Sequence, residues 1–444
     1  MSSGPLTHAR VLRIALPIVL SNATIPILGA VDTAVIGQLG QAAPMGAVAM
    51  GAVILASVYW IFGFLRMGTT GLVAQAHGAG DRAEVSAVLI RALLIGLTAG
   101  IVIVVVQAAL FWAAFAVAPA SDTVEGFARA YLTIRIWGAP ATIALYAITG
   151  WLIAVERTRS VLIVQVLMNG LNIGLDLWFV LSLGWGVQGV AVATLIAEWS
   201  GLALGLWLCR DALGLSALRD RARIFDAARL ARMLSVNGDI MVRSIVLQAS
   251  FTAFVFLGAG LGDATLAANQ VLMLFLEITA YALDGFAFAA EALVGAAVGA
   301  GLRGQVRQAG IFASYWGFGG AVGLALLFWL FGPWIIDLMT TAPEVRAIAR
   351  DYLPWLAIAP LIGIAAWMLD GIYIGATWTR AMRNAMLQSV AIYALAVAVL
   401  VQLFGNHGLW AALMVLNIAR AVTLGMRYPA LEAQVQSARP VPTA

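Results

Sequence analysis

The 444-residue chain has no lysine, a single cysteine and three histidines, and only 10% of its residues are charged. Each scarcity excludes something. One cysteine, Cys209, rules out an internal disulfide and a cysteine-held metal cluster. His8, His77 and His407 lie far apart near segment ends, so a histidine metal site is not expected. The net charge of +4 rests on arginine alone. Those arginines fall mostly in loops between apolar stretches, which is not a nucleic-acid pattern. The bias towards arginine and alanine points to a bacterial genome. No Walker loop, His-Glu-x-x-His or nucleophile elbow is present, so neither ATP-driven work nor those hydrolytic chemistries are expected, and no enzyme is predicted.

What is abundant is apolar: 63% of the chain is hydrophobic and its mean hydropathy is +0.97. No soluble surface of this size tolerates so little charge. Repeated runs of about 20 apolar residues indicate transmembrane helices instead. Twelve are read. They include a first span Val11–Gly37, a fifth Val161–Leu183, a sixth Val187–Leu208, an eighth Ala264–Val298 and a tenth Leu353–Ala376. The first is too long for a signal peptide, holds Pro26 and Asp32, and lacks a clean cleavage site. Alternate linkers differ sharply in arginine, which predicts both termini in the cytoplasm, as an even number of spans requires.

The chain repeats itself. Gly71-Leu-Val-Ala-Gln-Ala-His-Gly-Ala-Gly-Asp-Arg82 matches Ala292-Leu-Val-Gly-Ala-Ala-Val-Gly-Ala-Gly-Leu-Arg303 at an offset of 292 − 71 = 221. Tyr131 with Tyr352, Thr158 with Thr379 and Gly184 with Gly405 keep that register. Six spans per repeat makes the repeats parallel. The predicted fold is an all-α integral membrane protein of two six-helix bundles. Residues 1–209 form the N-terminal bundle, 210–236 a basic cytoplasmic linker, 237–428 the C-terminal bundle and 429–444 a tail. A substrate cavity is expected between the bundles.

Polar residues inside these spans carry the functional reading. Asp32 lies six residues after Pro26, where a helix bends. Ionising an acid at mid-membrane costs roughly 2.5–3.5 kcal/mol on insertion scales. Asn169, Asn172 and Asp176 share one face of the fifth span. Counting along the axis puts Asp176 roughly 22 Å and Asp32 roughly 31 Å from the inner ends of their spans. Thr194 of the sixth span falls at similar depth. Asp32, Asn172, Asp176 and Thr194 are therefore expected to form one ion-coupling cluster, sharing a proton or coordinating Na⁺. Glu277, Asp284 and Glu291 recur every seven residues along the eighth span, with Tyr281 and Phe288 interleaved. That stripe suits an amphipathic organic cation, and a structural pair between Glu291 and an arginine such as Arg66 is the competing reading. Asp370 of the tenth span replaces Thr149 of the first repeat, and Ala253 stands opposite Asp32. The symmetry thus breaks at the acids. Arg135 and Arg243 need partners that spacing does not name.

These motifs resemble the multidrug and toxic compound extrusion (MATE) transporters, and among them the DinF-like branch. The resemblance is carried by Val31-Asp-Thr-Ala-Val-Ile-Gly37, Arg66-Met-Gly-Thr-Thr-Gly-Leu-Val-Ala-Gln75, Leu283-Asp-Gly-Phe-Ala-Phe-Ala-Ala-Glu291, Leu369-Asp-Gly-Ile-Tyr-Ile-Gly-Ala-Thr377 and Met382-Arg-Asn-Ala-Met386. It implies a V-shaped pair of bundles in a bacterial inner membrane, monomeric, exporting organic cations or amphipathic drugs by H⁺ or Na⁺ antiport without a bound cofactor. It also implies that Asp32 is the coupling acid, supported by Asn172, Asp176 and Thr194. The NorM-like branch uses an acid of the seventh helix, and the core of that helix here, Phe251 to Gly260, has none. Coupling through the N-terminal bundle is favoured, with Pro26 as hinge. The alternatives are a gradient-driven flippase for a lipid-linked precursor and a passive channel.

Overall fold

The computed structural model describes residues 6–38 and 42–437. Every regular element among them is helical. In chain order they are α1 (His8–Gly37), α2 (Ala42–Trp60), α3 (Gly63–Gly78), α4 (Arg82–Val105), α5 (Gln107–Val117), α6 (Asp122–Arg135), α7 (Ala139–Ala154), α8 (Thr158–Asp176) and α9 (Gly186–Leu208). Two short helices, α10 (Leu215–Arg219) and α11 (Arg221–Ile224), lead to α12 (Ala227–Ala259), α13 (Asp263–Gly299), α14 (Arg303–Met339), α15 (Pro343–Gly375), α16 (Thr379–Gly425) and α17 (Tyr428–Ser437).

Ten helical stretches among the described residues are long and apolar enough to cross a membrane. One of them, Thr379–Val435, joins two runs at Gly405, whose φ of 54° breaks the helix. With those runs separated, and the 30-residue α1 added, the twelve expected spans are accounted for. Large apolar side chains stand more than half exposed on the outer faces, among them Trp112, Trp329, Leu330, Phe331 and Trp334. In water such a surface would aggregate, whereas against acyl chains it is the solvated face.

The repeat is written in the backbone. Left-handed φ angles occur at Gly80 and Gly301, at Glu156 and Thr377, and at Gly184 and Gly405. Each pair is 221 residues apart, for example 377 − 156 = 221. Glu156 and Thr377 are the two described non-glycine residues with positive φ, a backbone that a Cβ disfavours. Each follows a long helix and precedes another, so the same strained bend has been retained twice.

The described residues divide into two compact units. One comprises Leu20–Thr69 and Asp81–Leu230, and the other Met1–Val19, Thr70–Gly80 and Ala231–Ala444. This partition differs from the sequence-based one, because two pieces of the first repeat join the second. The physical reason is close backbone packing. A Cβ on Gly285 of α13 would lie 2.8 Å from the Ala15 carbonyl oxygen of α1. A Cβ on Gly78 of α3 would lie 1.9 Å from the Ala296 carbonyl oxygen of α13. Small residues let membrane helices pack at backbone distance, where dispersion replaces the hydrophobic effect.

In the first unit α4 packs on α7, α8 on α9, and α6 on both α2 and α9. The arginine-rich linker docks on α4 here. Arg91 donates to the carbonyls of Ile224 (3.0 Å) and Arg223 (3.1 Å), Arg223 pairs with Asp81 (3.1 Å), and Arg229 pairs with Glu84. In the second unit α13 packs on α14 and α15 around Phe254, Leu272, Phe328, Leu356 and Trp410. The amides of Asn269 and Asn406 bond reciprocally at 2.7 and 3.0 Å, and the Trp410 indole donates to Asn269 at 2.9 Å. The amide pair ties α13 to the kink just after Gly405.

Candidate functional site

The site is built on α8. Its residues Asn169, Asn172 and Asp176 are all buried, on the one face their spacing dictates. The α-helix ends at Asp176 and continues as a six-residue π-helix, Leu177–Ser182. Such wide turns are rare and recur at functional sites.

Asp176 is fully buried, and its carboxyl group lies close enough to that of Asp32 for the two to act on one another. Neither oxygen of Asp176, nor Oδ1 of Asp32, accepts a bond from any nitrogen or hydroxyl among the described residues. Two carboxylates have only acceptors to offer one another. A bond between them requires a proton on one, and a cation between them is the other way to hold the two together. Beside them, Asn172 Nδ2 donates to Thr194 Oγ1 (3.1 Å), whose own hydroxyl donates to the Val190 carbonyl (2.9 Å). Asn172 Oδ1 is left buried without a donor. Asn169 accepts from Gln165 (2.9 Å) and donates to the Thr24 carbonyl of α1 (3.3 Å), two residues before Pro26. Pro26 lies within α1, but its side chain falls outside the described residues.

Sequence reasoning missed Glu198. It lies on α9 one turn beyond Thr194, so both face the same way, and that i,i+4 spacing was the available signal. Glu198 pairs with Arg135 at 2.7 Å, both side chains about nine-tenths buried. The Arg135 guanidinium also donates to the Tyr131 hydroxyl at 3.4 Å and lies near enough for its charge to act on Asp32. A 3₁₀ turn, Ile136–Gly138, follows Arg135, and a Cβ on Gly138 would sit 2.0 Å from the Glu198 carboxylate. Glycine at 138 therefore leaves the space that the ion pair fills.

The remaining acids lie elsewhere. Asp370 of α15 is buried between Arg243 of α12 and Arg420 of α16, and Arg420 also donates to Asn417 at 3.1 Å. This supplies the partner that Arg243 required. Along α13, burial deepens from exposed Glu277 through half-buried Asp284 to Glu291, which is 1% exposed. The Tyr281 hydroxyl donates to Glu277 at 3.2 Å. No group of three or more His, Cys, Asp or Glu gathers at metal-binding distance among the described residues.

A model of the MatE family matches residues 17–178 and again 240–407, once in each repeat. Over 420 residues the chain is 40% identical to DNA damage-inducible protein F of Escherichia coli strain K12, covering 93% of this chain and 90% of that protein. It is 27% identical to Protein DETOXIFICATION 44, chloroplastic, of Arabidopsis thaliana, covering 93% and 80%. It is also 27% identical to the probable multidrug resistance protein NorM of Synechocystis, covering 74% and 71%. The fold is shared with the Vibrio cholerae MATE transporter VcmN in its bent form, with a TM-score of 0.87 at 20% identity over 96% and 97% of the chains. An outward-facing multidrug resistance MATE transporter gives 0.86 at 19% identity over 96% of each. Nothing among these relatives supports the flippase alternative. The chain belongs to the MATE family of membrane transporters, which are not enzymes.

Proposed function

We propose that this chain is a proton-coupled antiporter that exports organic cationic or amphipathic compounds across a bacterial inner membrane by alternating access, with both termini in the cytoplasm. The observation that carries the reading is the closeness of Asp32 and Asp176, with no donor bonded to Asp32 Oδ1 or to either oxygen of Asp176. A proton arriving from outside bridges the two carboxyls, and its departure inward leaves two acceptors face to face in a poorly solvated site. That change is transmitted to α1 at both ends of a short segment: through Asp32 itself, and through the Asn169 bond to Thr24 beside Pro26. Arg135, held by Glu198, keeps a fixed positive charge near Asp32. Glu277, Tyr281 and Asp284 are proposed to meet the positive portion of the cargo.

Na⁺ is the second coupling ion to consider. Asp32 Oδ1, Asn172 Oδ1 and both oxygens of Asp176 lack donors and would serve as ligands. The Thr194 oxygen is already engaged as both donor and acceptor. The closeness of the two carboxyls, which a single shared proton would hold together, favours the proton.

The test is transport in proteoliposomes with a fluorescent organic cation, imposing a pH gradient or a Na⁺ gradient alone. Uphill movement driven by the pH gradient is expected. Uphill movement driven by Na⁺ alone would overturn the choice of ion, and purely downhill movement would overturn antiport in favour of a passive pathway.

A further inference from the structure

Helix α15 stops at Gly375, the chain bends through Thr377 at φ 51°, and α16 starts at Thr379. Trp378, at the cap position, supplies no side-chain acceptor, so the first N–H groups of α16 have no helical partner. Trp378, Thr379 and Arg380 at this helix start help line a cavity of about 440 Å³, within the range of small-ligand sites, roughly 300–1,000 Å³. Gln75, Arg232, Ser235, Asp239, Thr377 and Arg380 contribute to its polar wall.

The charges on that wall do not balance. Asp239 is already committed, accepting from Thr379 (3.0 Å) and from Arg383 (2.7 Å). Arg232 donates only to neutral oxygens, Gln75 Oε1 at 2.8 Å and Thr377 Oγ1 at 3.4 Å. Arg380 is exposed at the mouth and makes no ion pair among the described residues. Two guanidiniums and a helix N-terminus therefore converge on one cavity with no carboxylate free to neutralise them. The equivalent bend of the first repeat carries Glu156 in place of Thr377, and its acid would repel an anion.

We propose that this cavity is a binding site for a phosphate group, taken from the headgroup of an anionic phospholipid or from a soluble phosphate compound. Guanidiniums and unpaired helix N–H groups are the donors phosphate oxygens select. Basic pockets at the arginine-rich side of transmembrane helices are where acidic headgroups lodge. An occupant would tie together Gln75 of α3, the start of α12, the α15–α16 bend and α17, bracing this end of the unit.

The test uses the full-length protein. Native mass spectrometry measures retention of phosphatidylglycerol against phosphatidylcholine, and thermal unfolding is followed with inorganic phosphate and with glycerol 3-phosphate. The expected result is one retained phosphatidylglycerol per chain, weakened about fivefold by Arg380→Gln and abolished by Arg232→Gln with Arg380→Gln. Arg380→Gln removes no hydrogen bond or ion pair made among the described residues, so folding should be preserved, and Arg210→Gln, outside the cavity, should leave retention unchanged. Stabilisation by the soluble phosphates that Arg380→Gln removes, with no lipid preference, would support the site and assign a soluble occupant. Absence of binding by every probe, or equal binding by wild type and Arg380→Gln, would overturn the proposal.

Discussion

Gly78 and Gly299 occupy equivalent positions in the two repeats, and each lies against the backbone of the other's helix. A Cβ on Gly78 would stand 1.9 Å from the Ala296 carbonyl oxygen, and one on Gly299 would stand 1.9 Å from that of Gln75. Since 296 − 75 = 221 and 299 − 78 = 221, the contact is isologous: each side presents the same patch to the other. Helices α3 and α13 thus cross about a pseudo-two-fold axis at a place where neither can carry a side chain. Gly78→Leu and Gly299→Leu should each force the crossing apart and lower the unfolding temperature by similar amounts. Overpacking of this kind costs about 1–3 kcal/mol. Gly304→Leu, where a Cβ would meet nothing within 4 Å, is the control and should be near neutral. Unequal effects at 78 and 299 would contradict the symmetry.

Asp32→Asn and Asp176→Asn each preserve shape and remove one carboxylate of the coupled pair. Both variants should fold, reach the membrane and lose export driven by a pH gradient. Their unfolding temperatures should equal or exceed that of the wild type, because an amide supplies a donor the pair lacks. Gradient-driven export by Asp32→Asn would rule out the proposed coupling.

The Arg135–Glu198 pair makes a prediction about folding. Glu198→Gln leaves a buried guanidinium uncompensated, which typically costs about 3–5 kcal/mol. Replacing both, as Arg135→Met with Glu198→Leu, should recover most of that loss. Because Arg135 also acts on Asp32, the double variant should remain stable while the pH dependence of transport shifts. Chemical unfolding in detergent and pH-dependent uptake separate the two effects.

Asp370 makes a contrasting case. Between Arg243 and Arg420 it is already neutralised. Asp370→Asn leaves two guanidiniums facing one another and should destabilise the protein, unlike Asp32→Asn. Adding Arg243→Gln should recover only part of the loss, because Arg420 stays buried without a carboxylate. The comparison is a set of unfolding curves, and a fully stable Asp370→Asn would show that the cluster does not hold the unit together.

Outside the spans, Arg157 donates to both carboxylate oxygens of Asp211 at 3.0 and 2.6 Å. That bond holds the Asp211 carboxyl below its usual value. A carboxyl with a lowered folded pKa adds stability above its unfolded value, about 3.9, and loses it as pH falls through the folded one. Both side chains are about half exposed, so the effect stays below about 1 kcal/mol. Protection from hydrogen exchange just after α9, measured relative to the intrinsic rate at each pH, should fall below about pH 4, and Arg157→Gln should remove that step.

Local chemistry made much of this protein legible in one dimension. Apolar run length fixed the helical spans, because an unpaired backbone is intolerable in lipid. The 221-residue register fixed the repeat, since Gly184, Gly405 and the Glu156–Thr377 bends descend from one pattern of backbone turns. Helical spacing put Asn169, Asn172 and Asp176 on one face, and depth counting brought Asp32 and Thr194 to their level. Partnership was not legible. Arg135 meets Glu198 from 63 residues away, and Asp370 meets Arg243 and Arg420 across 127 and 50. Nothing in local spacing ranks one distant acid over another. Only packing decides which opposite charges are desolvated together, and it also decided that the ends of α1 and α3 pack with the second repeat. Residue types and their depth dictate which groups must find partners inside the membrane, and helix packing selects the partners, because desolvation energy depends on distance in space and not along the chain.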